Sequence, residues 1–277
     1  MGKNDMSIMP ARLEGIRPDG TMFATLYGEL MLHPWRDPVA AMSDAYSLFH
    51  ARSSAMGWLT RAVEHASVGA WGMNDAGQDP DSEVQGVHRI WFQVSVSDPL
   101  PDDRPLPVQP FLACAGNVVV RMGTFRLDAI QVLLPVQSIS KATDKYAVLT
   151  DAGWFADCNP HLTTRVRVIL DGGQNPSIRS AAPKMVEWIQ ELKQEVFTCD
   201  AFSLTDDAKV LPPIFGDQLW LGPPQHRATF YGSLVEWSLD GLGWLALLLA
   251  SASAQHGIST PLVLTVSHSE GSVLHSD

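Results

Sequence analysis

Residues 162–204 read LTTRVRVILDGGQNPSIRSAAPKMVEWIQELKQEVFTCDAFSL, and the organisation of the chain follows from them. Leu162 to Leu170 mixes β-branched and polar residues at strand spacing, and Gly172-Gly173 turns it. Ser177 or Ser180 is placed to cap a helix in which Ala182, Met185, Ile189, Leu192 and Val196 recur at steps of three and four, one apolar stripe. Phe197 to Leu204 reads as the next strand. Beyond a loop carrying Pro212, Pro213, Pro223 and Pro224, Arg227 to Trp237 reads as a third strand. Asp240 is placed to cap a helix apolar nearly all round, ended by Gly257, and Pro261 to Ser267 supplies a last strand. The order is βαββαβ. It predicts an α+β fold with a ferredoxin-like unit in the C-terminal half, an antiparallel sheet carrying its helices on one face. The nearly uncharged second helix should lie deep, covered by the first half of the chain as well as by its own sheet.

The N-terminal half is less regular. Thr21 to Leu32 reads as a strand. Asp37-Pro38 gives a cap with proline at the first helical position, and Val39, Met42, Tyr46, Phe49 and Met56 follow at helical spacing. That helix breaks at Gly57 and resumes through Leu59 and Val63. Gly69 to Gly86 reads as an exposed loop and Val87 to Ser97 as a strand. Asp98 to Pro110, with five prolines and three aspartates, reads as an irregular connection, and Asn117 to Val136 as one or two strands. Ser138 to Pro160 is mixed. The expected organisation is an N-terminal α+β half over 1–137, an irregular connection over 138–160 and the ferredoxin-like half over 161–277, two halves that can pack as one compact unit.

A short repeat links them. Ala24-Thr25-Leu26-Tyr27-Gly28-Glu29-Leu30 and Ala228-Thr229-Phe230-Tyr231-Gly232-Ser233-Leu234 share five identities in seven. Each is followed by a tryptophan (Trp35, Trp237), an aspartate and a helix, which is the pattern an internal duplication leaves.

With 277 residues, 45% of them apolar and 18% charged, the chain can bury a large core and is no disordered tract. Its net charge of −11 repels a phosphate backbone, and Arg165, Arg167, Lys141 and Lys145 form no basic stripe, so nucleic acid is not expected. Three widely spaced cysteines (Cys114, Cys158, Cys199) suit free thiols in a reducing compartment. Met1 to Pro10 lacks an apolar signal stretch, and Gly241 to Gln255 is shorter than the roughly 20 residues that cross a bilayer. A soluble, cytoplasmic protein is expected. The arginine, alanine and tryptophan usage points to a GC-rich bacterial genome.

No reaction motif is complete. Gly241-Leu242-Gly243-Trp244-Leu245-Ala246 matches G-x-G-x-x-A with Glu270 after the next strand. However, Asp240 puts negative charge and Trp244 bulk where a pyrophosphate would sit, so a tightly packed helix is expected there. Asp171-Gly172-Gly173-Gln174-Asn175-Pro176-Ser177 has the ingredients of an anion nest and equally of an ordinary turn. Cys158-Asn159-Pro160-His161 sets a thiol near an imidazole without the second ligand pair of a zinc site. His33, His268 and His275 fit no ligand spacing. Neither cofactor nor metal is expected.

The candidate acid-base residues are Tyr27, Glu29, Tyr231 and Glu236, with Asp37, at the ends of the repeated strand-turn units. The reading that follows is an acidic binding protein that presents a surface to a macromolecular partner such as a basic protein, as an inhibitor, immunity-type protein or adaptor. The alternative is a cofactor-free enzyme acting on a small hydrophobic ligand, with those tyrosines and glutamates lining its pocket.

Overall fold

The computed structural model describes residues 20–36, 44–63, 66–79, 88–140, 147–150, 153–159, 161, 163–205 and 211–269. Its frame is one antiparallel sheet of eight strands: β1 (Thr21–Leu32), β4 (Gly72–Asp79), β5 (His88–Ser95), β6 (Gly123–Leu134), β7 (Thr164–Asp171), β8 (Phe197–Ser203), β9 (Arg227–Leu234) and β10 (Leu262–His268). They lie in the order β4-β5-β1-β6-β10-β7-β9-β8, and a separate short hairpin joins β2 (Arg61–Val63) to β3 (Ala66–Val68). Four helices of eleven residues or more, α1 (Ala45–Ala55), α2 (Val108–Met122), α4 (Ser177–Glu191) and α5 (Leu239–Gln255), pack over one face. A single turn, α3 (Ala147–Thr150), lies against α5. The fold is α+β.

The strand pairing follows from alternation. Met22, Ala24 and Leu26 on β1 turn one way with Ile90, Phe92 and Val94 on β5, Ile130, Val132 and Leu134 on β6, and Leu264 and Val266 on β10. Cross-strand register holds these rows together, and a slip of one residue would turn every one of them to the opposite face. The two halves meet where Leu262–Ser267 pair with Leu134–Ala129, so the sheet runs unbroken from one into the other.

The second half follows the expected βαββαβ order closely, as β7-α4-β8-β9-α5-β10 with strands side by side as β10-β7-β9-β8. The first half is wired in the same manner: β1-α1-β4-β5-α2-β6, side by side as β6-β1-β5-β4. The seven-residue repeat falls on β1 and β9, which hold different places in that wiring. β1 opens its half and lies between β5 and β6, whereas β9 is the third strand of its half and lies between β7 and β8.

Several local expectations are corrected. Asn117 to Val136 contains the last two turns of α2 before β6, because Val108, Phe111, Leu112, Ala115, Val118, Val119 and Met122 form a helical stripe that begins inside the proline-rich stretch. Gly72 to Asp79, within the expected loop, is the edge strand β4. Helix α1 stops before Gly57, which takes a left-handed φ of 70°, and the chain then extends into β2. Its cap is Asp44, whose side chain accepts from the Ser47 N–H at 2.6 Å; Asp37-Pro38 lies outside the described residues. Neither Ser177 nor Ser180 caps α4. Pro176 occupies the cap position, and the Asn175 side chain accepts from the Ser177 N–H at 3.0 Å. Ser238, not Asp240, caps α5 by accepting from the Gly241 N–H.

Helix α5 is the centre of the molecule. Every residue from Gly241 to Ala254 is buried, because α2 flanks it on one side, α4 on the other, and the sheet lies below. The short turn over Gly153–Asp157 helps close it from above, where Phe155 meets the Trp244 ring edge-on at 6.4 Å. Among the described residues no helix is long and apolar enough to cross a membrane.

Candidate functional site

The residues singled out in the sequence do not converge. Tyr27 and Tyr231 stand on the helix-free face in one cross-strand row, Tyr27–Ala129–Ser267–Arg167–Tyr231, so four strand spacings of about 4.8 Å separate them. Tyr27 is buried, with the Thr25 hydroxyl beside its own. Burial pushes its phenol up to about 12, against the pull of the Arg89 charge and the neighbouring Thr25 hydroxyl. Tyr231 is part-exposed. Glu29 is exposed and pairs with Arg126 at 3.3 Å. Glu236 lies beyond β9 near the start of α5, where it accepts from the Ser238 hydroxyl and, at 3.2 Å, from the Cys158 thiol.

The other motifs are absorbed by folding. Burial and the hydrogen-bonded Glu236 carboxylate raise the Cys158 pKa, the opposite direction from an activated thiolate. His161 is exposed, and its backbone N–H is held by Asn159 at 3.0 Å. In the glycine turn after β7 the nest is filled from within. The Asp171 carboxylate accepts from the Gly173 N–H at 2.8 Å and pairs with Arg227 at 2.6 Å, both side chains mostly buried. In the G-x-G-x-x-A segment, a Cβ on Gly243 would stand 3.1 Å from the Gln109 backbone, so that glycine serves the close crossing of α2 and α5. His268 packs against Trp237 with the rings tilted by 42° and 4.1 Å apart, and His275 lies outside the described residues. Among the described residues no group of three or more His, Cys, Asp or Glu is placed to hold a metal.

What the structure assembles instead is an apolar band on the outside of α2. Pro110, Ala113, Gly116 and Val120 recur at steps of three and four along its outer edge, the first three half-buried, Gly116 against Leu239 of α5, and Val120 69% exposed. Two shallow grooves run beside them. One, of about 370 Å³, is lined by Pro110, Ala113, Trp154, Phe155 and Asp240. The next, of about 220 Å³, is lined by Ala113, Gly116, Val120, Leu239 and Asp240. Trp154 stands 75% exposed at the first end.

At the other end the turn after β1 docks onto the carboxyl end of α2. The His33 ring meets the Val120 carbonyl at 2.9 Å, Arg36 donates to the Arg121 carbonyl at 3.2 Å, and the His33 N–H donates to that of Met122 at 3.2 Å. These bonds satisfy carbonyls that a helix end leaves open. They also fix Trp35, stacked on His33 at 5.0 Å and 74% exposed, with Met31 beside it in sequence 71% exposed. Two tryptophans thus bracket a stripe about 15 Å long, the ten steps of 1.5 Å from Pro110 to Val120. Charge is graded along it: Asp157 and Asp240 lie towards the Trp154 end, Arg36 and Arg121 at the Trp35 end.

The sequence hid this band because the start of α2 reads as part of the irregular Asp98 to Pro110 connection and its end, from Asn117, as strand. The one signal on offer was Trp154, a tryptophan in a short glycine-bearing stretch between Asp151 and Asp157. No family model matches the chain, and no curated protein matches it.

Proposed function

We propose that the chain is a binding protein and that the outer face of α2 is its docking surface for a macromolecular partner. One observation carries this: two tryptophans, each about three-quarters exposed, bracket a continuous apolar helix stripe. Exposing indoles to water is unfavourable, and tryptophans at the centre of an interface are the side chains whose truncation costs most. The partner segment is apolar where it meets Ala113, Gly116 and Val120, and basic where it meets Asp157 and Asp240. The overall charge of −11 would speed its encounter with a basic protein. An inhibitor, immunity-type or adaptor role fits such a surface, and the three free cysteines fit a cytoplasmic setting.

The scaffold is read as two ferredoxin-like units of common ancestry. The support is the wiring: each half runs βαββαβ with its strands side by side in the order fourth, first, third, second.

Native mass spectrometry of the protein drawn gently from its own host tests the reading. A co-purifying polypeptide is expected at low salt and is lost as salt rises. Val120→Asp and Trp154→Ala should each weaken it by about 30-fold or more, the effect of removing a central anchor. A partner that binds both variants as tightly as the parent would place its interface elsewhere and sink the proposal.

A further inference from the structure

The helix-free face of the sheet carries a second feature, independent of α2. The loop between β8 and β9 returns across this face and is pinned there by Phe215 and Trp220, which pack on Phe23, Leu133 and Val263. The Gln131 side chain donates to the Leu211 carbonyl at 3.0 Å, and the buried Asp171–Arg227 pair anchors the far end. Between this wall and strands β4, β5 and β1 lies a cleft of about 580 Å³. That is within the roughly 300–1,000 Å³ of small-molecule sites.

The floor of the cleft mixes aromatic surface with interleaved donors and acceptors. Trp91 lies at its centre, and the Phe23 and Phe215 rings close one end, 5.0 Å apart. Arg89 donates to Asp79 at 2.7 Å, so those two charges offset each other. Asp75 receives the Ala76 N–H at 2.8 Å and, more weakly, the Trp91 indole N–H at 3.5 Å. Gln78 and Gln93 add two amides, each with donor and acceptor atoms. Thr25 and Tyr27 stand across from Trp91 and Arg89 on β1, buried and outside the cleft lining, so the polar groups open to a ligand are those of β4 and β5.

We propose that this cleft binds a neutral polyhydroxylated ligand of one or two sugar rings, laid on Trp91 and held by Asp75, Gln93 and the Arg89–Asp79 pair. With Arg89 and Asp79 offsetting each other, an anion meets the uncompensated Asp75 charge. A simple cation has Asp75 alone to answer it and leaves both glutamine amides unmatched. Hydroxyl groups both give and accept hydrogen bonds, so a ring of them uses every lining group, while its C–H face covers the indole.

The test is a titration of the full chain followed by the tryptophan indole N–H resonances, with glucose, galactose, N-acetylglucosamine and maltose as probes and glucosamine and glucuronate as charged comparators. At least one neutral sugar should move the Trp91 resonance saturably, with a dissociation constant of about 0.1–10 mM. Gln93→Ala should weaken that sugar about tenfold, and Trp91→Phe, which retains an aromatic ring but has no indole N–H and is therefore followed by calorimetric titration, should weaken it by a similar factor. Absence of a saturable shift with all four neutral probes overturns the proposal. Equal affinity in the parent and both variants also overturns it, as does tighter binding of either charged comparator than of its neutral parent sugar.

Discussion

At the scale of single residues, the repeated Tyr-Gly pair has a local cause. Opposite Tyr27-Gly28, strand β6 inserts Asp128 between Leu127 and Ala129. Opposite Tyr231-Gly232, strand β8 inserts Asp200 between Cys199 and Ala201. Each bulge drives a neighbouring carbonyl at the glycine: a Cβ would stand 2.0 Å from the Arg126 oxygen at Gly28 and 2.1 Å from the Thr198 oxygen at Gly232. Only glycine accommodates that approach. The seven-residue match therefore signals two like bulges, which explains why it links strands of unlike place in the wiring. Gly28→Ala and Gly232→Ala should each cost about 1–3 kcal/mol in urea denaturation. Gly116→Ala, which meets only the Leu239 side-chain end at 3.1 Å, should cost less. Tyr27 makes a second residue-scale prediction. Its phenol is raised to about 12 in the folded chain from the ordinary 10, so the folded state disfavours ionisation. The stability this represents is fully present below pH 10 and is lost as pH rises towards 12, by roughly 2–3 kcal/mol. Tyr27→Phe should flatten that part of a stability–pH curve measured against the parent. An unchanged curve would mean that the phenol ionises alike in both states.

At the scale of elements, what was legible depended on whether an element's own residues declared it. The α4 stripe and the strands around it did, since Ile178, Ala182, Met185 and Ile189 bury one face and leave the other wet. Helix α2 did not, because Pro105, Pro107 and Pro110 mask its start; Pro107 stands at its N-cap and Pro110 falls in its first turn, where a missing N–H costs nothing. Strand β4 was hidden differently. As an edge strand, GMNDAGQD needs no inward apolar row, and it pairs through its backbone. The same reasoning exposes a weak point in α4. Pro183 sits on the exposed side of the helix interior, removes one main-chain hydrogen bond and crowds the carbonyl four residues back. Pro183→Ala should raise stability by about 1–3 kcal/mol, read from the thermal midpoint. At the start of α5 the hydroxyl of Ser238, not the Asp240 carboxylate, holds the first free N–H. Ser238→Ala should thus cost roughly 0.5–2 kcal/mol and Asp240→Asn distinctly less.

At the scale of the whole molecule, neither surface could be read from the chain because each is assembled across it. The docking band joins Trp35, α2 and Trp154, and the cleft joins Trp91 and Arg89 to a loop more than a hundred residues later. Both depend on the halves being fused, and the seam between them shows how firmly. Six residue pairs join β6 to β10. Above them α2 crosses α5 so closely that Gly116 and Gly243 each face a contact near 3.1 Å. Helix α5, buried along its length, needs α2 on one side and α4 on the other, so neither half can lose structure without exposing it. Calorimetry of the full chain should therefore give one unfolding transition whose calorimetric and van't Hoff enthalpies agree. Leu264→Ala, beneath the seam, should move that transition down by about 2–5 kcal/mol of stability without splitting it. Two resolved transitions, or an effect of Leu264→Ala confined to one of them, would mean that each half folds by itself and that α5 does not bind them into one cooperative unit.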